Sequence, residues 1–181
     1  MKDLGLLHYF LGLEVWQQTV GIILNQGKYT IDILKRFGMM DCKPMSTLME
    51  TNLHKLREAG ASSESVDSTL YRQMIESLMY LINTRPDIFY VVNALSRFMC
   101  EPKQLHIVAP KHILRYLRGT IGYGLKYKEV DLNLYGYTNS DWAGSVVDRK
   151  STSRCCFSLG SAMISWFSRK QSSVAQSSTE A

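Results

Sequence analysis

Long apolar runs are missing from this chain. None approaches the ~18 residues of a membrane span, and no charged-then-apolar stretch of signal-peptide form opens it, so no membrane partner is expected. Cysteine is scarce too. The four cysteines, Cys42, Cys100, Cys155 and Cys156, show no C-x-x-C spacing, and adjacent cysteines rarely bridge each other. A zinc site is therefore not expected, and reduced thiols in an intracellular setting, cytoplasm or nucleus, are. Acidic residues are outnumbered. A net charge of +5 and a pI near 9.0 leave two readings open, an anionic partner (nucleic acid first) or an ordinary basic soluble protein. What remains is 181 residues with 45% hydrophobic content, a globular composition sufficient for one domain or two small ones.

Aromatic and β-branched residues from His8 to Trp16, then Gly21 to Leu24, read as a β-hairpin, with Gly12 at a bulge or close backbone approach. Tyr29, Ile33, Leu34 and Phe37 fall at helical spacing and Gly38 is a fitting stop. From Asp41 to Thr69 periodicity fades into a linker or long loop with Pro44 and the run from Ala59 to Ser65, the candidate boundary. The stripe Tyr71, Met74, Ile75, Leu78, Met79, Ile82 places a helix over roughly Leu70 to Asn83. Thr84 is placed to cap the next helix, with Pro86 in its first turn, Asp87 at its positive end and Ile88, Val91, Val92, Leu95 and Phe98 on its buried face. A third helix covers Ile113 to Gly119. Pro110, which would cost about 3 kcal/mol inside a helix, implies a start near Ala109 or a kink. Lys111, Arg115 and Arg118 share one face, which either tracks a phosphate backbone or is simply solvated.

The pattern then turns to strands at Leu125 to Tyr127, Leu132 to Tyr137, Ser153 to Leu159 and Ser161 to Trp166, the last two joined at Gly160. Basic loops lie at their ends, Arg149-Lys150 and Arg169-Lys170. Leu132, Leu134 and Gly136 alternate with Asn133, Tyr135 and Tyr137 as in a half-buried strand, which runs into the polar cluster Thr138 to Asp141. A strand end before a turn is a natural place for metal-assisted phosphate chemistry, because the strand aims oxygens that the loop leaves accessible. Here that cluster holds the amide Asn139 and one acid, Asp141. Both chain ends are expected to be cut: Met1 enters directly into a turn at Lys2-Asp3-Leu4-Gly5, and Ser177 to Ala181 starts a helix that does not continue.

In order along the chain, Met1-Lys2-Asp3-Leu4-Gly5, His8-Tyr9-Phe10-Leu11-Gly12, Thr84-Arg85-Pro86-Asp87-Ile88, Leu95-Ser96-Arg97-Phe98-Met99, Leu114-Arg115-Tyr116-Leu117-Arg118-Gly119-Thr120, Asp141-Trp142-Ala143-Gly144 and Lys150-Ser151-Thr152-Ser153 resemble copia-type retrotransposon Pol polyproteins. The resemblance covers essentially the whole chain. It implies an α+β fold: a β-hairpin plus a helical thumb/connection-like segment, followed by an incomplete ribonuclease H-like antiparallel sheet. The implied domains are 1–50, the end of the reverse transcriptase palm with a primer-grip-like hairpin and helix; 51–121, the thumb/connection-like helices; and 122–181, a truncated ribonuclease H-like domain. Phe10, Leu11 and Gly12 would approach the primer end, and Lys111, Arg115 and Arg118 would lie toward a template-primer duplex or RNA–DNA hybrid. In that family, ribonuclease H carboxylates hold two Mg²⁺ ions that activate water and stabilise the leaving oxygen.

The same resemblance exposes departures. No Asp-Asp pair occurs, Asn139 stands at the first ribonuclease H acid position with Asp141 adjacent, and the family's catalytic Glu would lie past Ala181. Glu76 replaces a Gly, Ile107 a Trp and Arg154 a Gly, and a buried Glu76 would cost several kcal/mol unless paired. No intact catalytic set, no metal site and no cofactor as encoded are expected. Three functions follow: a catalytically inactive Pol fragment with residual nucleic-acid affinity; an active reverse transcriptase/ribonuclease H component completed by the remainder of the polyprotein; or a reused protein-interaction module with an open sheet edge.

Overall fold

The computed structural model describes residues 5–49, 66–128, 132–145 and 148–180. The expected turn at Met1 to Leu4 and the run from Ala59 to Ser65 lie outside the described residues. The elements are β1 (Tyr9–Phe10), β2 (Leu13–Gln18), β3 (Gly21–Asn25), α1 (Gly27–Arg36), α2 (Ser68–Leu81), α3 (Pro86–Ser96), α4 (Gln104–Gly119), β4 (Gly124–Tyr127), β5 (Leu134–Ser140), β6 (Thr152–Leu159) and β7 (Ala162–Lys170). The strands form a four-stranded sheet ordered β1-β2-β3-β4 and a three-stranded sheet ordered β5-β6-β7. The chain divides into two compact units, Met1–Gln17 with Ile23–Leu125, and Gln18–Ile22 with Lys126–Ala181.

Among the described residues, four helices build the core of the first unit. α2 packs on α3 and α4, and α4 packs on α1 and α3. Tyr71, Met74, Ile75, Leu78 and Leu81 recur at helical spacing on α2 and are buried against Ile33 and Leu34 of α1, Ile88 and Leu95 of α3, and Ile113, Leu114 and Leu117 of α4. The one polar atom this stripe carries inward is satisfied: the Tyr71 hydroxyl donates to the Leu95 carbonyl at 2.9 Å, and burial pushes its pKa up.

The helix ends follow local chemistry. At α1, Gly38 (φ +65°) lets its own N–H reach the Lys35 carbonyl and Met39 N–H reach Leu34, a Schellman ending. Its N-terminus is served from β2, where Glu14 Oε1 accepts the Lys28 N–H at 2.6 Å. Asp67 caps α2 through Thr69 N–H. Two expectations need correcting. Thr84 does not cap α3: Arg85 is the N-cap and Pro86 the first residue, while Thr84 is buried and donates to Gln26 Oε1 at 2.8 Å. Nor does the third helix begin at Ala109. α4 starts at Gln104 and carries Pro110 inside, because Ile107 before it and Ile113, Leu114 and Leu117 after it are all buried, anchoring both halves. Glu76 is exposed on α2, so no burial cost arises there.

In the second unit β5, β6 and β7 pair antiparallel. Asn139 lies opposite Arg154, Tyr137 opposite Cys156, and Thr152 opposite Lys170, with a bulge at Phe157/Ser158. Gly160 (φ +58°) makes the two-residue β6–β7 turn. The Tyr127 hydroxyl donates to the Met163 carbonyl at 2.7 Å, fixing the end of β4 to β7. β5 departs from expectation in two ways. It runs on through the polar cluster to Ser140, and it is not half-buried: Leu134 to Asn139 are all exposed. The alternation sorts its side chains between two faces, but within this unit no helix among the described residues covers either.

Candidate functional site

The end of β5 and the loop to β6 are held by one carboxylate. Asp141 Oδ1 accepts the Thr152 N–H, Asp141 N–H donates to the Thr152 carbonyl, and Oδ2 lies 3.8 Å from an Arg154 guanidinium nitrogen. Around this clasp, Ala143 adopts φ +51° and donates its N–H to the fully buried Ser151 hydroxyl at 3.1 Å. Gly144 sits so close to the Asp141 carboxylate that a Cβ would collide with it. The Trp142 indole donates to the Ala175 carbonyl at 3.4 Å. At the far side Lys170 pairs with Asp148 at 2.6 Å; the hydrogen bonds of Lys170 and Ser145 hold the Asp148 carboxyl well below the usual range. Asp141-Trp142-Ala143-Gly144 and Lys150-Ser151-Thr152-Ser153, distinct in sequence, thus form one clasped loop. Glu180 accepts the Gln176 N–H at 2.8 Å across a terminal turn.

The other expected site residues lie in the first unit. Phe10 ends β1, and Leu11 and Gly12 form the β1–β2 turn, with Leu11 75% exposed and φ positive at both Leu11 (+47°) and Gly12 (+78°). The Tyr80 hydroxyl of α2 donates to the Leu11 carbonyl at 2.6 Å and sits where a Gly12 side chain would be, so the expected close approach is real and its partner is Tyr80. This turn borders an open cleft of about 550 Å³ that also involves Tyr29, Asp32, Arg36 and Glu76. On α4, Lys111 is exposed, whereas Arg115 Nε donates to the Lys43 carbonyl at 2.9 Å and Arg118 Nε to the Met40 carbonyl at 2.7 Å. With Met45 N–H on the Arg115 carbonyl and His112 Nε2 against the Thr47 carbonyl, these arginines strap residues 40–47 to the helix. The basic face therefore has a structural duty, and that part of the expected loop is tied down.

Sequence reasoning missed a buried polar network centred on Arg85. Arg85 has only 3% of its side chain exposed; it pairs with Asp87 through Nε at 3.0 Å and Nη2 at 2.7 Å, and donates to the Thr120 carbonyl at 3.0 Å and hydroxyl at 2.9 Å. Its guanidinium lies 5.5 Å from each of the Tyr116 and Tyr123 ring centres. The Tyr116 hydroxyl completes the circuit, donating to Asp87 at 2.9 Å. Burial pushes the Asp87 carboxyl up, but hydrogen bonds and charge from Arg85 and the Tyr116 hydroxyl together hold it below its usual value. Tyr116 is pushed up by burial and by the same carboxylate. The signal was present as two motifs, Thr84 to Ile88 and Leu114 to Thr120, which meet here.

Comparison with known proteins fits these motifs. The "Uncharacterized mitochondrial protein AtMg00810" of Arabidopsis thaliana is 42% identical over 181 residues, 99% of this chain and 74% of its own length. The "Retrovirus-related Pol polyprotein from transposon RE1" of the same plant is 43% identical over 182 residues, 100% of this chain but 12% of its own length. The corresponding RE2 polyprotein is 43% identical over 176 residues, 97% of this chain and 12% of its own. The chain belongs to the copia-type retrotransposon Pol family. It spans about an eighth of those polyproteins. No family model and no solved structure matches it.

The Mg²⁺ implied by the resemblance does not fit the residues at the end of β5. Mg²⁺ demands rigid, hard oxygen ligands in octahedral array. Asn139 offers a neutral amide, one oxygen of Asp141 accepts an N–H, and the other already lies 3.8 Å from a guanidinium cation. Among the described residues no group of three or more His, Cys, Asp or Glu comes together.

Proposed function

We propose that this chain is the Pol segment joining the end of a reverse transcriptase to the first part of a ribonuclease H-like domain, and that it is catalytically inactive as encoded while retaining affinity for nucleic acid. In this reading 1–50 is the end of the palm with a primer-grip-like hairpin, 51–121 the thumb/connection-like helices and 122–181 the ribonuclease H-like sheet. One observation carries the inactivity: the only acid of the β5 cluster, Asp141, is already committed to Thr152 and Arg154, and its strand neighbour is Asn139. The exposed turn at Phe10, Leu11 and Gly12 and the exposed Lys111 are the groups offered to a template-primer or RNA–DNA hybrid; Arg115 and Arg118 contribute charge while their Nε atoms serve the fold. The direct test is cleavage of a labelled RNA–DNA hybrid in Mg²⁺, with retention of the hybrid measured in parallel at two salt concentrations. No cleavage with salt-sensitive retention is expected.

A second reading, a module that binds a protein partner, is favoured by β5, an uncharged edge strand with Leu134, Tyr135 and Tyr137 exposed. A defined stoichiometric complex formed through β5, lost on Tyr137→Lys, would select that reading over the first.

A further inference from the structure

Asn139 and Arg154 are paired residues of β5 and β6, so their side chains leave the same face of the sheet directly opposite each other. Two residues beyond Asn139, the Asp141 carboxylate turns back to the same arginine at 3.8 Å. Its other oxygen takes the Thr152 N–H, and Thr152 lies two positions from Arg154 on β6, on the same face. The end of β5 therefore holds one carboxylate 3.8 Å from one guanidinium, with an amide at the position paired with that arginine. The charge there is already balanced.

We propose that the Arg154 guanidinium is a built-in cation that holds Asp141 and refuses a divalent metal at the end of β5, making the lesion at this site double. The inference rests on the reading of this strand end as a lapsed carboxylate site, and goes further by naming what took its place. A guanidinium cannot lose its proton in water near neutral pH, so it opposes a second cation at every working pH. It also sets the fate of the obvious repair. Placing a carboxylate at Asn139 puts it opposite Arg154, where an oppositely charged cross-strand pair is stabilising. The new acid is then drawn into an ion pair and is not left open as a ligand.

The test needs no activity. A double-mutant cycle over wild type, Asn139→Asp, Arg154→Gln and the Asn139→Asp/Arg154→Gln double is measured by urea unfolding in EDTA, the glutamine removing the charge while keeping the three-carbon stem and a hydrogen-bonding end at the strand position. Asn139→Asp is expected to raise the folding equilibrium constant about 2- to 5-fold, and to lower it in the Arg154→Gln background, where two carboxylates face each other with no cation between them. Terbium luminescence sensitised by the chain's tryptophans then reports metal binding. Saturable, Mg²⁺-competed binding is expected in the double variant and absent from wild type and Asn139→Asp. The proposal is overturned if Asn139→Asp is equally destabilising in both backgrounds, if it alone binds terbium as tightly as the double, or if the double binds none. Should Arg154→Gln prevent folding, Asn139→Asp decides alone: a salt-sensitive gain in stability supports the proposal, a loss refutes it. Hybrid cleavage by the wild type would refute the proposed inactivity, while the metal-free cycle tests Arg154 separately.

Discussion

Replacing Arg85 by Ala removes four hydrogen bonds and two ring contacts at once, and the structure says what is left behind. The Asp87 side chain is 34% exposed, so part of its charge can be rehydrated. Thr120 is buried, however, and its carbonyl and hydroxyl both lose the donors that reached them at 3.0 and 2.9 Å. Breaking a buried ion pair by deleting one partner costs 3–5 kcal/mol, and rehydration of Asp87 places this case near ~3 kcal/mol. With a urea m-value of roughly 1–3 kcal/mol/M, the unfolding midpoint should fall by about 1–3 M. Arg85→Lys keeps the charge but loses the planar fork that serves Asp87 and Thr120 together, so about 1–2 kcal/mol is expected. Urea titration followed by far-UV circular dichroism measures all three proteins. A loss below about 1 kcal/mol for Arg85→Ala, or equal losses for Ala and Lys, would refute the view that this network ties α3 to the end of α4.

Three further outcomes are expected. Since the folded Asp87 carboxyl lies below its unfolded value near ~3.9, its contribution is fully present above that pH and is lost as pH falls through the lower folded value. An Asp87→Asn variant should accordingly show a flatter loss of stability below about pH 4 than the wild type, measured by thermal melts across the acid range. Gly12→Ala should cost about 1–2 kcal/mol from its positive φ, plus a displaced Tyr80; in a Tyr80→Ala background only the backbone part should remain, and an unchanged penalty would contradict the contact. Arg118→Ala should release the Met40 carbonyl and speed proteolysis within residues 40–47 while costing only about 1–2 kcal/mol globally.

The elements that were legible in the sequence are those whose signal is local. The α2 stripe from Tyr71 to Leu78, the stop at Gly38, Pro86 in the first turn of α3 and the Gly160 turn each depend on residues a few positions apart. What was not legible depends on partners far away in the chain. Arg85 reaches Thr120 across 35 positions, and Arg118 reaches Met40 across 78, so a basic helix face that reads as solvated is half occupied by backbone. Thr84 had the chemistry of a cap, yet Gln26 claimed its hydroxyl. At Pro110 the intrinsic cost of an interior proline is outweighed by burial on both sides of it. For β5 the alternation gave the two faces correctly in parity, but whether a layer covers a face is not encoded in the strand itself. At the site, Asn139 was visible at once; that Asp141 was engaged by Thr152 and Arg154 required the register of β6.

The most direct test is cleavage of a labelled RNA–DNA hybrid in Mg²⁺ by the wild-type chain and by Asn139→Asp, side by side. No product from either protein is predicted, because Asp141 is engaged and Arg154 faces the repaired position. Mg²⁺-dependent product from the wild type, abolished by Asp141→Asn, would contradict the account.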